Sequence, residues 1–186
     1  MQKNLSEDDV ATIISGLMND NNIKVPNVKL RVVLDKYDFT YLKKLVSMHY
    51  HAPPKGGKDY FLVYYQITKT SAHWCSMVID YKKKELFFYC SHGIYIDNHI
   101  LVSDDKDRTF ITYIARYLYK NGYDIHYNSY KLQEFDVNTC GRYAALFLLY
   151  NVIGSSNPDQ FNSLIVNNDY GFTPDEYIYH ITEKYA

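Results

Sequence analysis

Val10, Ile13, Ile14 and Leu17 recur at helical spacing behind Ser6 and Asp9, a pair placed as in a capping box, so the pattern predicts a helix over 7–18. Val28 to Leu34 reads as a short strand, and Phe39, Leu42, Leu45 and Val46 read as one face of a second helix. HAPPKGGKD, residues 51–59, is the strongest break in the chain. From Tyr60 the texture turns to β: YFLVYYQI, HWCSMVID and ELFFYC are rich in aromatic and branched residues, and YKKK reads as a polar turn between the last two.

Farther along, Phe110, Ile111, Ile114, Tyr117 and Leu118 fall on one face of a helix over 105–119, with Asn121-Gly122 as its stop. Tyr123 to Leu132 returns to extended structure. CGRYAALFLLYNV, residues 140–152, is apolar nearly all round and predicts a buried central helix. Asn157-Pro158 and Thr173-Pro174-Asp175-Glu176 signal two more helices, each with a cap and a Pro at the first position.

Composition changes this picture little. A chain of 186 residues with 47% apolar and 22% charged residues suits one domain with a sizeable core. The net charge of -1 gives no electrostatic reason for a nucleic-acid or membrane partner. The three cysteines are an odd number, which favours a reducing compartment. With no basic and apolar signal at the N-terminus and no apolar run longer than 144–150, the expectation is a soluble intracellular protein. The 21 Tyr, with many Asn, Lys and Ile, match AT-rich codons.

The hairpin carries the first chemistry. Antiparallel partners joined through a short turn near Lys82 have numbers with an odd sum, and alternation then sets His73, Cys75, Cys90 and His92 on one face. One reading is a zinc site of two sulfurs and two nitrogens, which would make the chain a zinc-stapled binding module without catalysis. Another is packing alone, with His92 as an exposed histidine. A strained cross-strand Cys75–Cys90 disulfide is a third, disfavoured in a reducing cell.

The second stretch is LQEFDVNTCGRY, residues 132–143, which ends an irregular segment and opens the buried helix with Cys140 in its first turn. A helix N-terminus favours thiolate over thiol, and a neighbouring imidazolium favours it further. Taken by itself, a cysteine there is most often just a small apolar residue.

His73-Trp74, the hairpin VIDYKKKELFFY leading to residue 90, and Gln133 followed by Cys140-Gly141 together resemble the adenovirus-type and SUMO-deconjugating cysteine proteases. The resemblance spans about half the chain, Tyr60 to Tyr150. The order His, acid, Gln, Cys is that family's, and the gap of seven from Gln to Cys is similar to the adenovirus branch. It implies an α+β papain-like fold of the adenain type, with a helical lobe carrying Cys140 packed on a mixed, mainly antiparallel sheet carrying His73. It also implies Cys140 as nucleophile, His73 as base and acid, and the Gln133 amide with the Cys140 N–H as oxyanion hole. Trp74, with Gly141, would border a substrate cleft; a core tryptophan is the other reading of Trp74.

The departure is Cys90, seventeen positions after the His, where relatives carry Asp, Glu or Asn to orient the imidazole. A neutral thiol is a weak acceptor. Three accounts stand: a Cys-His pair with water or a backbone carbonyl orienting His73; a substitute such as Asp97 or Asn98; or a weakened enzyme. The first is preferred, because the hairpin aligns without a gap.

The expectation is therefore a single protease domain: a helical part over about 1–58, a sheet and catalytic core over about 59–154, and C-terminal helices over about 155–186. No metal or cofactor is expected. The substrate would be a capsid or other precursor protein cut at a Gly-containing site during virion maturation. Small double-stranded DNA viruses such as virophages carry enzymes of this kind, which places it in the host cytoplasm and the virion. A deconjugase of a ubiquitin-like modifier is the alternative. An activating peptide or nucleic acid is a further partner by resemblance, with Lys82 to Lys84 either its contact or a solvated turn. PPKGG reads as a loop at the cleft mouth or as a connector.

Overall fold

The computed structural model describes residues 5–23, 30–33, 36–66, 72–93, 110–134 and 137–186. The expected substitute residues Asp97 and Asn98 lie outside them. In chain order the elements are α1 (Glu7–Asp20), β1 (Leu30–Val33), α2 (Lys36–His51), β2 (Lys58–Gln66), β3 (Ala72–Asp80), β4 (Glu85–Tyr89), α3 (Phe110–Lys120), β5 (Asp124–Tyr127), α4 (Cys140–Ile153), α5 (Pro158–Val166) and α6 (Pro174–Thr182). The capping box of α1 forms as its sequence requires, with Asp9 N–H donating to Ser6 Oγ and the Asp9 carboxylate accepting from Ser6 N–H. Equivalent boxes start α5, with Asn157 and Gln160, and α6, with Thr173 and Glu176.

The strands form one mixed sheet in the order β1-β2-β3-β4-β5. The β2–β3 and β3–β4 pairs are antiparallel, whereas β1 and β5 join the two edges in parallel. The architecture is thus α+β. The segment before residue 58 is more than a helical part, because β1 lies along β2. Asp59 ties that edge down: its buried carboxylate accepts from Arg31 (3.0 Å) and Tyr81 (2.8 Å) and sits 2.6 Å from His49 Nδ1.

Alternation along β2, β3 and β4 gives the sheet two apolar faces. Tyr60, Leu62, Trp74, Val78, Phe87 and Tyr89 pack with α1, α4, α5 and α6. Phe61, Val63, Cys75, Met77, Ile79, Leu86, Phe88 and Cys90 pack with Leu42, Leu45 and Val46 of α2 and with Ile114 and Leu118 of α3. Helices therefore cover both faces, with α4, which carries Cys140, packed on one of them together with α1, α5 and α6. The reason is visible in β3, where seven consecutive positions after His73 are buried on both sides.

The PPKGG loop falls at the end of β3 opposite His73. Its Gly57 carbonyl accepts from Tyr81 N–H, beside the turn that joins β3 to β4, so it is a connector there. Lys82, Lys83 and Lys84 stand exposed on that turn, and Asp80 Oδ1 caps the N–H groups of the first two. The extended stretch after Tyr123 pairs as a strand only to Tyr127. Beyond it the backbone leaves the ladder to serve the site.

Candidate active site

Two antiparallel neighbours and one helix start converge at the end of the sheet. Ser76 opposes Tyr89 in the β3–β4 ladder, and continuing that register sets Cys75 against Cys90 and His73 against His92. The four side chains share one face, as alternation requires. The His73 and His92 rings meet edge to face with centroids 4.4 Å apart. Cys90 Sγ lies 3.5 Å from His73 Nε2. Cys75 hydrogen-bonds Cys90, and no disulfide closes this pair.

Cys140 reaches the same imidazole from the other side of the fold. It opens α4, whose N-cap residue Thr139 makes no side-chain cap; Arg142 and Tyr143 N–H donate to the Thr139 carbonyl, while the Gly141 N–H serves the sulfur. The thiol is half-buried and hydrogen-bonds His73. Burial works to raise the Cys140 pKa, but the His73 hydrogen bond, the His73 charge and the backbone N–H groups of Trp74 and Gly141 bring it below its ordinary value. Burial likewise works to lower the His73 pKa, yet hydrogen bonds to Cys140 and then Cys90 push it up to about 10. Both directions favour the same arrangement, a thiolate facing an imidazolium, over the neutral pair. Cys75, by contrast, is held as a thiol by burial, with Cys90 adding to the effect.

Gln133 is buried and fixed at three points. Its backbone N–H and that of Leu132 donate to the Ser91 carbonyl. Its side-chain Nε2 donates to the Val137 carbonyl, an acceptor only, which assigns the amide orientation. Oε1 therefore faces Ser91 Oγ, which donates to it at 2.6 Å. One Nε2 hydrogen remains for a further acceptor. Ser91 follows Cys90, and Val137 precedes Cys140 by three residues, so the Gln133 side chain bridges the hairpin end and the approach to the thiol.

Trp74 lies beneath this group as a core residue. It is 4% exposed, its indole N–H donates to Leu5 O at 3.0 Å, and its ring packs on Tyr64 with centroids 4.7 Å apart. Gly141 is the close-approach point: a Cβ there would stand 2.9 Å from Val10 Cγ2 and 3.4 Å from Trp74 Cδ1. Both residues thus shape the floor under Cys140, and the Trp74 ring is buried rather than displayed along a groove.

Three supports have no sequence signal. Asn128 clamps the third position, accepting from Cys90 N–H at 3.0 Å and donating to Cys90 O. Asp175, at the start of α6, accepts from Thr139 Oγ1 and from Glu134 N–H (2.8 Å), closing the segment between Gln133 and Cys140. Ser91 orients Gln133. Their partners lie 36 to 42 residues away, beyond any local pattern.

His73, Cys75 and Cys90 also form a candidate cation cluster, with ligand atoms all within 4.8 Å of one another. Among the described residues no helix is long and apolar enough to cross a membrane.

No protein-family model matches the chain, and no curated protein sequence matches it. Similar solved structures are those of cysteine proteases and bacterial effectors. The SUMO protease Ulp1 with its catalytic cysteine oxidised to a sulfinic acid is 15% identical with a TM-score of 0.46, covering 98% of this chain and 84% of that one. The Chlamydia trachomatis effector ChlaDUB1 is 13% identical with a TM-score of 0.46, over 95% of this chain and 67% of that one. The Xanthomonas campestris effector XopD bound to ubiquitin is 14% identical with a TM-score of 0.44, over 99% of this chain and 93% of that one.

Proposed function

We propose that the protein is a cysteine peptidase acting on protein substrates. The observation that carries this reading is the hydrogen-bonded Cys140–His73 pair at an uncapped helix start, with the thiol pKa lowered and the imidazole pKa raised. The Cys140 thiolate attacks a peptide carbonyl carbon, and the carbonyl oxygen takes up the negative charge. The spare Nε2 hydrogen of Gln133 and the Cys140 N–H are the donors for that oxyanion. Collapse breaks the C–N bond, the departing amine takes the His73 proton, and a thioester remains. Neutral His73 then takes a proton from water as it attacks the thioester, and the thiolate is released with the acid product.

In this reading Cys90, clamped by Asn128, stands where relatives place an orienting acid and holds the far side of the ring through its sulfur. The Cys-His pair therefore works with a weak third partner. The substrate is a virion precursor protein cut beside glycine, in the host cytoplasm or the particle. The support is the seven-residue Gln133 to Cys140 spacing, which resembles the adenovirus branch. A deconjugase cutting after the tail of a ubiquitin-like modifier is the competing substrate class. Co-expression with candidate virion proteins, wild type against Cys140→Ala, tests the reading: fragments that vanish in the variant support it, and none in either strain counts against it. Cleavage of ubiquitin-like probes ending in Gly-Gly, with virion proteins left intact, would instead assign a deconjugase.

A further inference from the structure

The hairpin face holds more sulfur than peptide cleavage needs. Cys75 takes no part in the proposed reaction, yet it is buried beside Cys90 and His73, and neither cysteine is in a disulfide. Around a tetrahedral zinc ion, with Zn–N about 2.0 Å and Zn–S about 2.3 Å, neighbouring N and S ligand atoms stand about 3.5 Å apart and two sulfurs about 3.8 Å. The Cys90 Sγ to His73 Nε2 separation is 3.5 Å, and no separation within the three exceeds 4.8 Å. The three atoms already outline one face of such a tetrahedron, needing shifts of about an ångström at most. Two sulfurs and one imidazole nitrogen are a donor set for zinc or copper(I), and hard cations would be refused.

We propose that His73, Cys75 and Cys90 bind a soft metal ion, zinc foremost, and that its binding switches off the peptidase. The fourth corner falls to solvent or to the half-buried His92, whose ring lies against His73. On binding, the ion displaces the Nε2 proton of His73 and the thiol protons of Cys75 and Cys90 to solvent, and takes the nitrogen lone pair and both sulfurs together. With Nε2 on the metal, the other ring nitrogen keeps its proton and neither accepts one from Cys140 nor passes one to the leaving amine, so the thiol loses its acid and base. The inhibition rests on the peptidase reading, but the metal site does not. On this account the cysteine in the acid position is a ligand as well as a weak orienting group.

The test uses the whole chain, reduced and freed of metal with a chelator, then titrated with Co2+. Expected are a thiolate-to-cobalt charge-transfer band and the visible bands of a tetrahedral ion, saturating at one ion per chain. Zn2+ should displace them. Cys75→Ala should lose at least half of the charge-transfer intensity and retain basal turnover, while Zn2+ inhibits it at least tenfold less potently than the parent. Cys75→Ser is the second variant should the alanine protein not fold. Absence of the bands in the parent overturns the site, as does an unchanged spectrum in the Cys75 variants. Bands without inhibition in an active peptidase overturn the switch alone, and bands in a chain without activity leave the site standing while the peptidase reading falls.

Discussion

Replacing Cys90 with Asp asks what orients His73. The sulfur lies 3.5 Å from Nε2. A carboxylate oxygen reaches about half an ångström farther from the backbone, which brings the pair near the ~2.9 Å of a charge-assisted N–H···O bond. Such a bond contributes about 1.5–3 kcal/mol, where a neutral one contributes about 0.5–1.5 kcal/mol. Against this stands burial, since residue 90 is 0% exposed, and an unpaired carboxylate there would cost several kcal/mol. Pairing with the imidazolium offsets that cost, so stability should change little. The ring, however, is held more firmly in the geometry that the transition state needs. We expect kcat/KM equal to the parent or up to about tenfold higher, tenfold being about 1.4 kcal/mol. Cys90→Ala should lose about threefold to tenfold in kcat with KM unchanged, as befits one neutral contact. The assay is hydrolysis of a fluorogenic glycine-containing peptide, with far-UV circular dichroism as a control for folding. A folded Cys90→Asp enzyme slowed more than tenfold would refute the reasoning and give the thiol a role of its own.

Further expectations concern the surrounding supports. Gln133→Ala should cost about 10²- to 10³-fold in kcat, the usual loss for one oxyanion donor. Ser91→Ala leaves Gln133 Oε1 buried without its 2.6 Å donor and should fall between that variant and the parent, so parental turnover in Ser91→Ala contradicts the assigned orientation. Gly141→Ala forces a Cβ to 2.9 Å from Val10 and should destabilise the fold by about 1–3 kcal/mol in denaturant unfolding; an unchanged midpoint would show that α1 yields. For pH, the His73 pKa is raised, so the stability from its imidazolium is complete below the unfolded value near 6.5 and is lost as pH climbs through about 10. Activity should therefore hold through neutral pH and fall on the alkaline side near 10, and a fall near 6.5 would mean an unpaired histidine.

How much of this was legible depends on the range of the signal. Period-two alternation in HWCSMVID and ELFFYC sets His73, Cys75, Cys90 and His92 on one face, and the structure keeps them there. Capping chemistry at Ser6, Asn157 and Thr173 marks three helix starts within a residue. What failed was long-range. β1 reads as a short strand, but nothing local says that it runs parallel to β2. Trp74 reads equally as cleft or core until Leu5 and Tyr64 are seen to enclose it. Asn128, Ser91 and Asp175 look like ordinary loop and cap residues, because their roles exist only through partners brought close by folding.

The meeting of Cys140 with His73 is tested most directly by the pH dependence of Cys140 alkylation, read by peptide mass mapping in the parent and in His73→Ala. Cys75 and Cys90 are fully buried, so the reagent reports on Cys140. The account predicts half-maximal reactivity below the ordinary cysteine range in the parent and a shift to or above that range in His73→Ala. Superimposable profiles in the two proteins would contradict it.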